Sequence, residues 1–144
     1  MSKTCVSFTI DGEPHGKARP QFSTYNGKIR AITPQKTVAY ERRVKWAYKK
    51  ACNNFRFEDG VPLAVIIEAY YGIAKSTSKS RAEKMKSGAI VPTKKPDCDN
   101  VAKAVLDALN NIAYKDDAQI ALLTVIKRFS DNPRVEVYLA YLDE

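Results

Sequence analysis

Asp97-Cys98-Asp99-Asn100-Val101-Ala102-Lys103-Ala104-Val105-Leu106-Asp107-Ala108-Leu109 is the stretch on which the fold turns. On a helical wheel Val101, Ala104, Val105, Ala108 and Leu109 share one broad face, with Ala102 and Leu106 at its edge. Asp99, Lys103 and Asp107 recur every four residues and form a polar stripe on the opposite side. The pattern predicts an amphipathic helix over Asp99–Asn111, one face against a core and the other free to carry charge. Asp97 or Asp99 stands where a helix N-cap belongs, and a carboxylate there can accept from free backbone N–H groups. One reading of the stripe is therefore structural: a cap followed by an exposed ion-pair ladder worth about 0.3 kcal/mol per pair. Three neighbouring features exceed that reading. Asp97 is a second carboxylate that a cap does not need. Lys95-Pro96 leads the chain rigidly into the helix, because proline fixes its own φ and restricts its predecessor. Asp116-Asp117, two adjacent acids that repel each other, follow just after the helix.

Working outward, Arg134–Leu142 alternates Val135, Val137, Leu139 and Tyr141 with Glu136, Tyr138, Ala140 and Leu142, the period of a strand. Ala118–Phe129 starts irregularly and becomes a strand. Asp131-Asn132-Pro133 between the two reads as a turn, so an antiparallel hairpin is expected there. On the other side of the helix, Leu63–Tyr71 is β-branched and aromatic, and Ser80–Ser87 reads as a short exposed helix closed by Gly88. Residues 3–12 set Val6, Phe8 and Ile10 against Cys5, Ser7 and Thr9, another strand. Pro14-His15-Gly16-Lys17-Ala18-Arg19-Pro20 is an irregular basic loop. Asn26-Gly27 marks a hairpin between Gln21–Thr24 and Lys28–Ile32. Thr33-Pro34 opens a helix to about Asn53, with Thr33 as cap and Pro34 in the first turn; Val44, Ala47, Tyr48 and Ala51 form its apolar stripe. The sum is one α+β domain over residues 1–144, a mixed sheet with two principal helices.

Net charge is +8, and its distribution carries more than its size. Eleven cations and one acid lie between Lys17 and Arg56, and seven cations and one acid between Lys75 and Lys95. Then five aspartates, at 97, 99, 107, 116 and 117, fall within 21 residues. An acidic cluster between basic tracts is poorly explained by solubility. It fits a nuclease, in which cations hold the nucleic-acid backbone and carboxylates hold metal at the phosphate to be cut. All-oxygen carboxylate sites suit Mg²⁺, which takes one or two protein carboxylates and keeps several waters. Lys103 is placed to neutralise charge on the phosphate. Asn110–Tyr114 must double back if Asp117 is to approach Asp97 and Asp99 in the same chain; otherwise the acids meet across a dimer. His15 reads as a loop residue or phosphate contact rather than a base, and Trp46 as core or dimer packing.

No run reaches the ~18 apolar residues of a membrane span, and the first residues lack the apolar block of a signal peptide. A cytoplasmic protein is expected. Three widely spaced cysteines and one histidine make a disulfide framework or a zinc site improbable.

Three blocks in order, Lys95-Pro96-Asp97-Cys98-Asp99-Asn100-Val101-Ala102-Lys103, then Leu106-Asp107-Ala108-Leu109-Asn110, then Asp116-Asp117-Ala118-Gln119-Ile120, resemble the RusA family of Holliday-junction resolvases. Gly16–Pro20 and Thr33–Glu41 are similar to its Gram-positive phage and prophage branch. The resemblance implies a RusA-like fold and a homodimeric endonuclease that makes paired nicks in opposed strands of a four-way junction, using Mg²⁺ with Mn²⁺ as a substitute and no other small-molecule cofactor. It implies catalytic roles for Asp97, Asp99, Lys103 and Asp117, with Asp97, Asp99, Asp117 and Asp116 as metal ligands and Asp117 ahead of Asp116. Lys17, Arg19, Lys79, Arg81, Lys84, Lys94 and Lys95 are the expected DNA contacts. The competing expectation is a branched-DNA-binding protein whose aspartates are only structural.

Overall fold

The strand that alternates most strictly in sequence lies in the interior of the sheet. A computed structural model, which describes residues 4–19 and 21–143, contains β1 (Cys5–Asp11), β2 (Gln21–Tyr25), β3 (Lys28–Ile32), α1 (Gln35–Cys52), β4 (Leu63–Gly72), α2 (Lys79–Ser87), α3 (Cys98–Ala108), a 3₁₀ turn (Asp117–Gln119), β5 (Ile120–Ser130) and β6 (Arg134–Tyr141). β6 buries Val135, Val137 and Leu139 completely. It sits inside a four-stranded sheet of order β1-β6-β4-β5, with Val137 opposite Phe8 on β1 and Ile67 on β4.

The expected β5–β6 hairpin does not form. β5 runs parallel to β4, pairing Ile67 with Val125, while β6 runs antiparallel to β4 on its other edge. Burial explains the choice. β6 has an apolar row that needs cover from neighbours on both sides, whereas no residue of β5 is fully buried, and it takes the sheet edge. The turn after β5 therefore carries the chain past the end of β4 rather than folding it back on itself.

One face of the sheet holds the core. Val65, Ile67, Ala69 and Tyr71 of β4 pack with Val44 and Tyr48 of α1 and Val101, Ala104 and Val105 of α3. The apolar face read from the α3 sequence is this buried face. On α1 the stripe is rotated from expectation. Thr37, Tyr40, Val44, Tyr48 and Cys52 are buried, while Ala51 is exposed. Pro34, not Thr33, occupies the N-cap position, and no side chain caps there. Trp46 is not core; it is 64% exposed, with the Lys50 ammonium 4.7 Å from its ring. β2 and β3 form a separate two-stranded sheet. Among the described residues no helix is long and apolar enough to cross a membrane.

Candidate active site

The loop between β1 and β2 is held across the flank of α3 by a series of specific contacts. His15 stacks on Tyr40 of α1, ring centroids 4.7 Å apart. Gly16 passes so close to α3 that a Cβ would collide with Asn100 and press on Pro96. The Lys17 amide donates to Asn100 Oδ1 at 3.1 Å, and the Ala18 amide to Thr37 Oγ1 at 3.2 Å. Facing it, Tyr71 at the end of β4 donates its hydroxyl proton to the Pro96 carbonyl at 2.5 Å. The Lys95–Pro96 peptide is cis. Between loop and helix lies a cleft of about 880 Å³ whose walls include Lys17, Arg19, Lys95, Asp97, Asp99 and Lys103. Two carboxylates and four cations thus share one open depression.

The capping explanation for the two acids fails on geometry. Asp97 is the N-cap residue of α3, yet its carboxylate makes no cap hydrogen bond, and Asp99 lies in the first turn. The ion-pair ladder is absent too: among the described residues Lys103 pairs with neither Asp99 nor Asp107. Asp107 is taken by Lys17, whose ammonium lies 2.7 Å from its carboxylate and 3.7 Å from Glu41. Lys17 was expected to hold DNA. In this structure its charge is satisfied within the chain, and these bonds raise its pKa, the Asp107 hydrogen bond most of all.

After α3 the chain does double back. Asn111 takes a left-handed conformation, its amide donates to the Tyr114 carbonyl at 2.7 Å, and the buried Tyr114 hydroxyl donates to the Leu106 carbonyl at 2.6 Å. Asp116 and Asp117 then part in role. The Asp116 carboxylate caps the 3₁₀ turn, accepting from the Ala118 amide at 3.3 Å, while Gln119 Oε1 accepts from the Asp116 amide at 3.4 Å. The Asp117 amide donates to Asn110 Oδ1 at 2.9 Å. Partial burial, then contact with Asp116 and the charge of Asp107, pushes the Asp117 carboxyl above the ordinary carboxylate range.

The acids therefore form two groups along one helix flank. Asp97 and Asp99 stand in the cleft at the N-terminus of α3. Asp107 and Asp117 stand two turns further on, about 12 Å along the axis. Among the described residues no three His, Cys, Asp or Glu side chains gather into a ready-made metal cage, so Asp97, Asp99 and Asp117 do not form one within this chain. Asp97 and Asp99 offer a pair of oxygen donors of the kind a hard cation takes, whereas in the second group Asp107 is already held by Lys17.

Of the remaining expected DNA contacts, Arg19 and Lys95 line the cleft. Lys79, Arg81 and Lys84 are exposed on α2, and Lys94 is exposed in the following loop, its carbonyl accepting from Lys127 at 2.5 Å. Sequence reasoning passed over Asn100 and Asn110, the residues that hold the β1–β2 loop and Asp117 in place. Both stand inside the quoted blocks, directly after Asp99 and Leu109, which was the available signal.

The model of a family described as "Endodeoxyribonuclease RusA" matches residues 11–140. Among curated proteins, "Uncharacterized protein YqaN" of Bacillus subtilis (strain 168) is 38% identical over 139 residues, covering 94% of this chain and 95% of that protein.

Proposed function

The chain belongs to the RusA family of endodeoxyribonucleases, and on that premise we propose that it is a Mg²⁺-dependent resolvase that makes paired nicks in opposed strands of four-way DNA junctions, acting as a homodimer in recombination and repair of bacterial, phage or prophage DNA. The observation that carries this reading is the cleft in which Asp97 and Asp99, free of capping duty, face Lys103, Arg19 and Lys95.

Asp97 and Asp99 at one group, and Asp117 beside Asp116 at the other, are the residues that would hold Mg²⁺ or Mn²⁺. A bound divalent ion there supplies an acidified water and charge neutralisation at a phosphate. The chain's own side chains do the rest. Arg19 and Lys95 hold phosphates flanking the scissile one, and α2 extends that grip with Lys79, Arg81 and Lys84. Lys103 places a fixed positive charge where the phosphate gains negative charge. Asn100 keeps the β1–β2 loop against the helix so that the cleft keeps its width.

Dimerisation is supported by the face of the sheet that carries no helix. Ile66 on β4 and Leu122 on β5 are 43% and 53% exposed there, an apolar patch of the kind that marks an interface. A two-fold pair would hold two clefts at fixed separation, which is what opposed nicks require.

The test compares a synthetic four-way junction, a flap and a linear duplex, each with Mg²⁺, Mn²⁺ or chelator. Symmetric nicks in the junction alone, lost with chelator, are expected. Asp97→Asn should bind the junction at least as tightly as wild type and cut it roughly 100-fold more slowly or worse. Millimolar Mg²⁺ should raise the Tm of wild type and do so less for Asp97→Asn. Junction binding with no cleavage under any metal would leave the protein as a branch binder.

A further inference from the structure

The β2–β3 hairpin is the part of the molecule that folding alone does not explain. A two-stranded ribbon is marginal in water by itself, and every residue from Phe22 to Thr33 is exposed. Its register sorts the side chains onto two faces. Phe22 opposite Ala31 and Thr24 opposite Ile29 share one; Ser23 opposite Arg30 and Tyr25 opposite Lys28 share the other. The first face is apolar, with Phe22 74% and Ile29 76% exposed. The second is cationic and aromatic, with the Arg30 guanidinium 5.4 Å from the centre of the Tyr25 ring. Asn26 and Gly27 turn the ribbon with positive φ at both positions, the geometry of a tight two-residue hairpin.

The base of the ribbon is the cleft. Arg19, two residues before β2, is in the cleft wall, and the Ala18–Thr37 hydrogen bond ties the incoming strand to the helix that follows β3. Five residues per strand carry the tip about 17 Å from that rim. Between Glu13 and Glu41 the chain has five cations and no acid, so its surroundings attract phosphate and repel nothing anionic. A ribbon of this width enters a DNA groove, and exposed Phe and Ile side chains are the kind that insert between bases and unstack them.

Resting on the junction-nuclease reading above, we infer that this hairpin is the branch-sensing wedge. Phe22 and Ile29 sit against bases unstacked at the branch point, Lys28 and Arg30 hold the phosphates of the adjoining arm, and the fixed base sets the scissile phosphate at the Asp97–Asp99 cleft. Continuous duplex offers no such unstacked bases, so the wedge favours branched over linear DNA.

The experiment uses a four-way junction with 2-aminopurine beside the branch, in chelator, so that nothing is cut. Wild type and Asp97→Asn should both raise the fluorescence as the base unstacks. The double variant Phe22→Ala/Ile29→Ala should leave it flat and bind the junction about tenfold more weakly, while linear-duplex affinity stays within about twofold, since the phosphate contacts remain. Both side chains are exposed, so its Tm should match wild type; the Phe22→Leu/Ile29→Val pair, still apolar, should restore most of the fluorescence change. An undiminished signal from the alanine variant, with junction preference intact, overturns the wedge and leaves the nuclease reading standing. A change in sedimentation of that variant without DNA also overturns it, since the ribbon would then be packing on a second copy. Wild type that binds junction no better than duplex overturns both readings together.

Discussion

At the scale of single residues, the Asp116-Asp117 pair shows how far a sequence can be read. Two neighbouring acids signal chemistry, but which of them is spent on structure depends on a 3₁₀ turn that no periodicity announces. Asp116 caps that turn and Asp117 meets Asp107. Asp116→Ala should cost about 1 kcal/mol of stability, the loss of a cap, and keep most of its cleavage. Asp117→Asn should do the reverse: cleavage falls by roughly 100-fold or more, while the metal-free Tm rises by about 2 °C as the repulsion with Asp107 and Asp116 is relieved. Thermal melts and nicking rates on both variants check the division. His15 gives a pH prediction. Partial burial, then the nearby Arg43 and Lys36 charges, hold its pKa below 6.5 in the folded protein. The unfolded chain therefore takes up the proton first. Stability attributable to His15 is complete above about pH 6.5 and declines as pH falls below it, levelling once the folded form also protonates. Melts between pH 5 and 7 should show a shallower slope for His15→Phe, which keeps a ring on Tyr40 and removes the titration.

At the scale of elements, α3 was legible because its two faces differ so sharply in polarity, and β6 because its alternation is strict. The rotated stripe of α1 was not, because Thr37 and Cys52 are buried without looking apolar, and Ala51 looks apolar without being buried. The partner of β5 was not legible either. Turn residues report where a chain bends, whereas pairing is decided by which strand most needs cover. The β1–β2 loop read as irregular and basic, and gave no sign that it is fastened at four points. Gly16 tests that fastening. A methyl group there meets Asn100 and Pro96, so Gly16→Ala should destabilise the fold by about 1–3 kcal/mol and weaken junction binding by displacing Arg19. Circular dichroism melts and gel-shift titrations would measure the two effects separately.

At the scale of the whole molecule, all the helices that build the core lie on one side of the sheet, and the other side carries Ile66 and Leu122 uncovered beside a polar set in which Glu136 holds Arg134 at 2.8 Å. The sequence foretold the acids and cations of the cleft but not this asymmetry, because alternation looks the same whether the second face meets water or another subunit. On the proposed homodimer, Ile66→Asp together with Leu122→Asp should leave the monomer folded and shift the sedimentation from dimer to monomer, with junction cutting reduced to single, uncoupled nicks.

The parallel edge strand has a practical corollary. The outer rim of β5 pairs with no further strand among the described residues, next to Leu123 at 43% exposure. What discourages another molecule from continuing the ladder is positive charge near its far end, from Lys127, whose ammonium donates to the Lys94 carbonyl, and from Arg128, 3.5 Å from Glu68. That guard is electrostatic, and dissolved ions shorten its reach to about 8 Å at physiological strength. Concentrated brine, often chosen to keep basic proteins off stray nucleic acid, should therefore turn this one toward lateral stacking and turbidity.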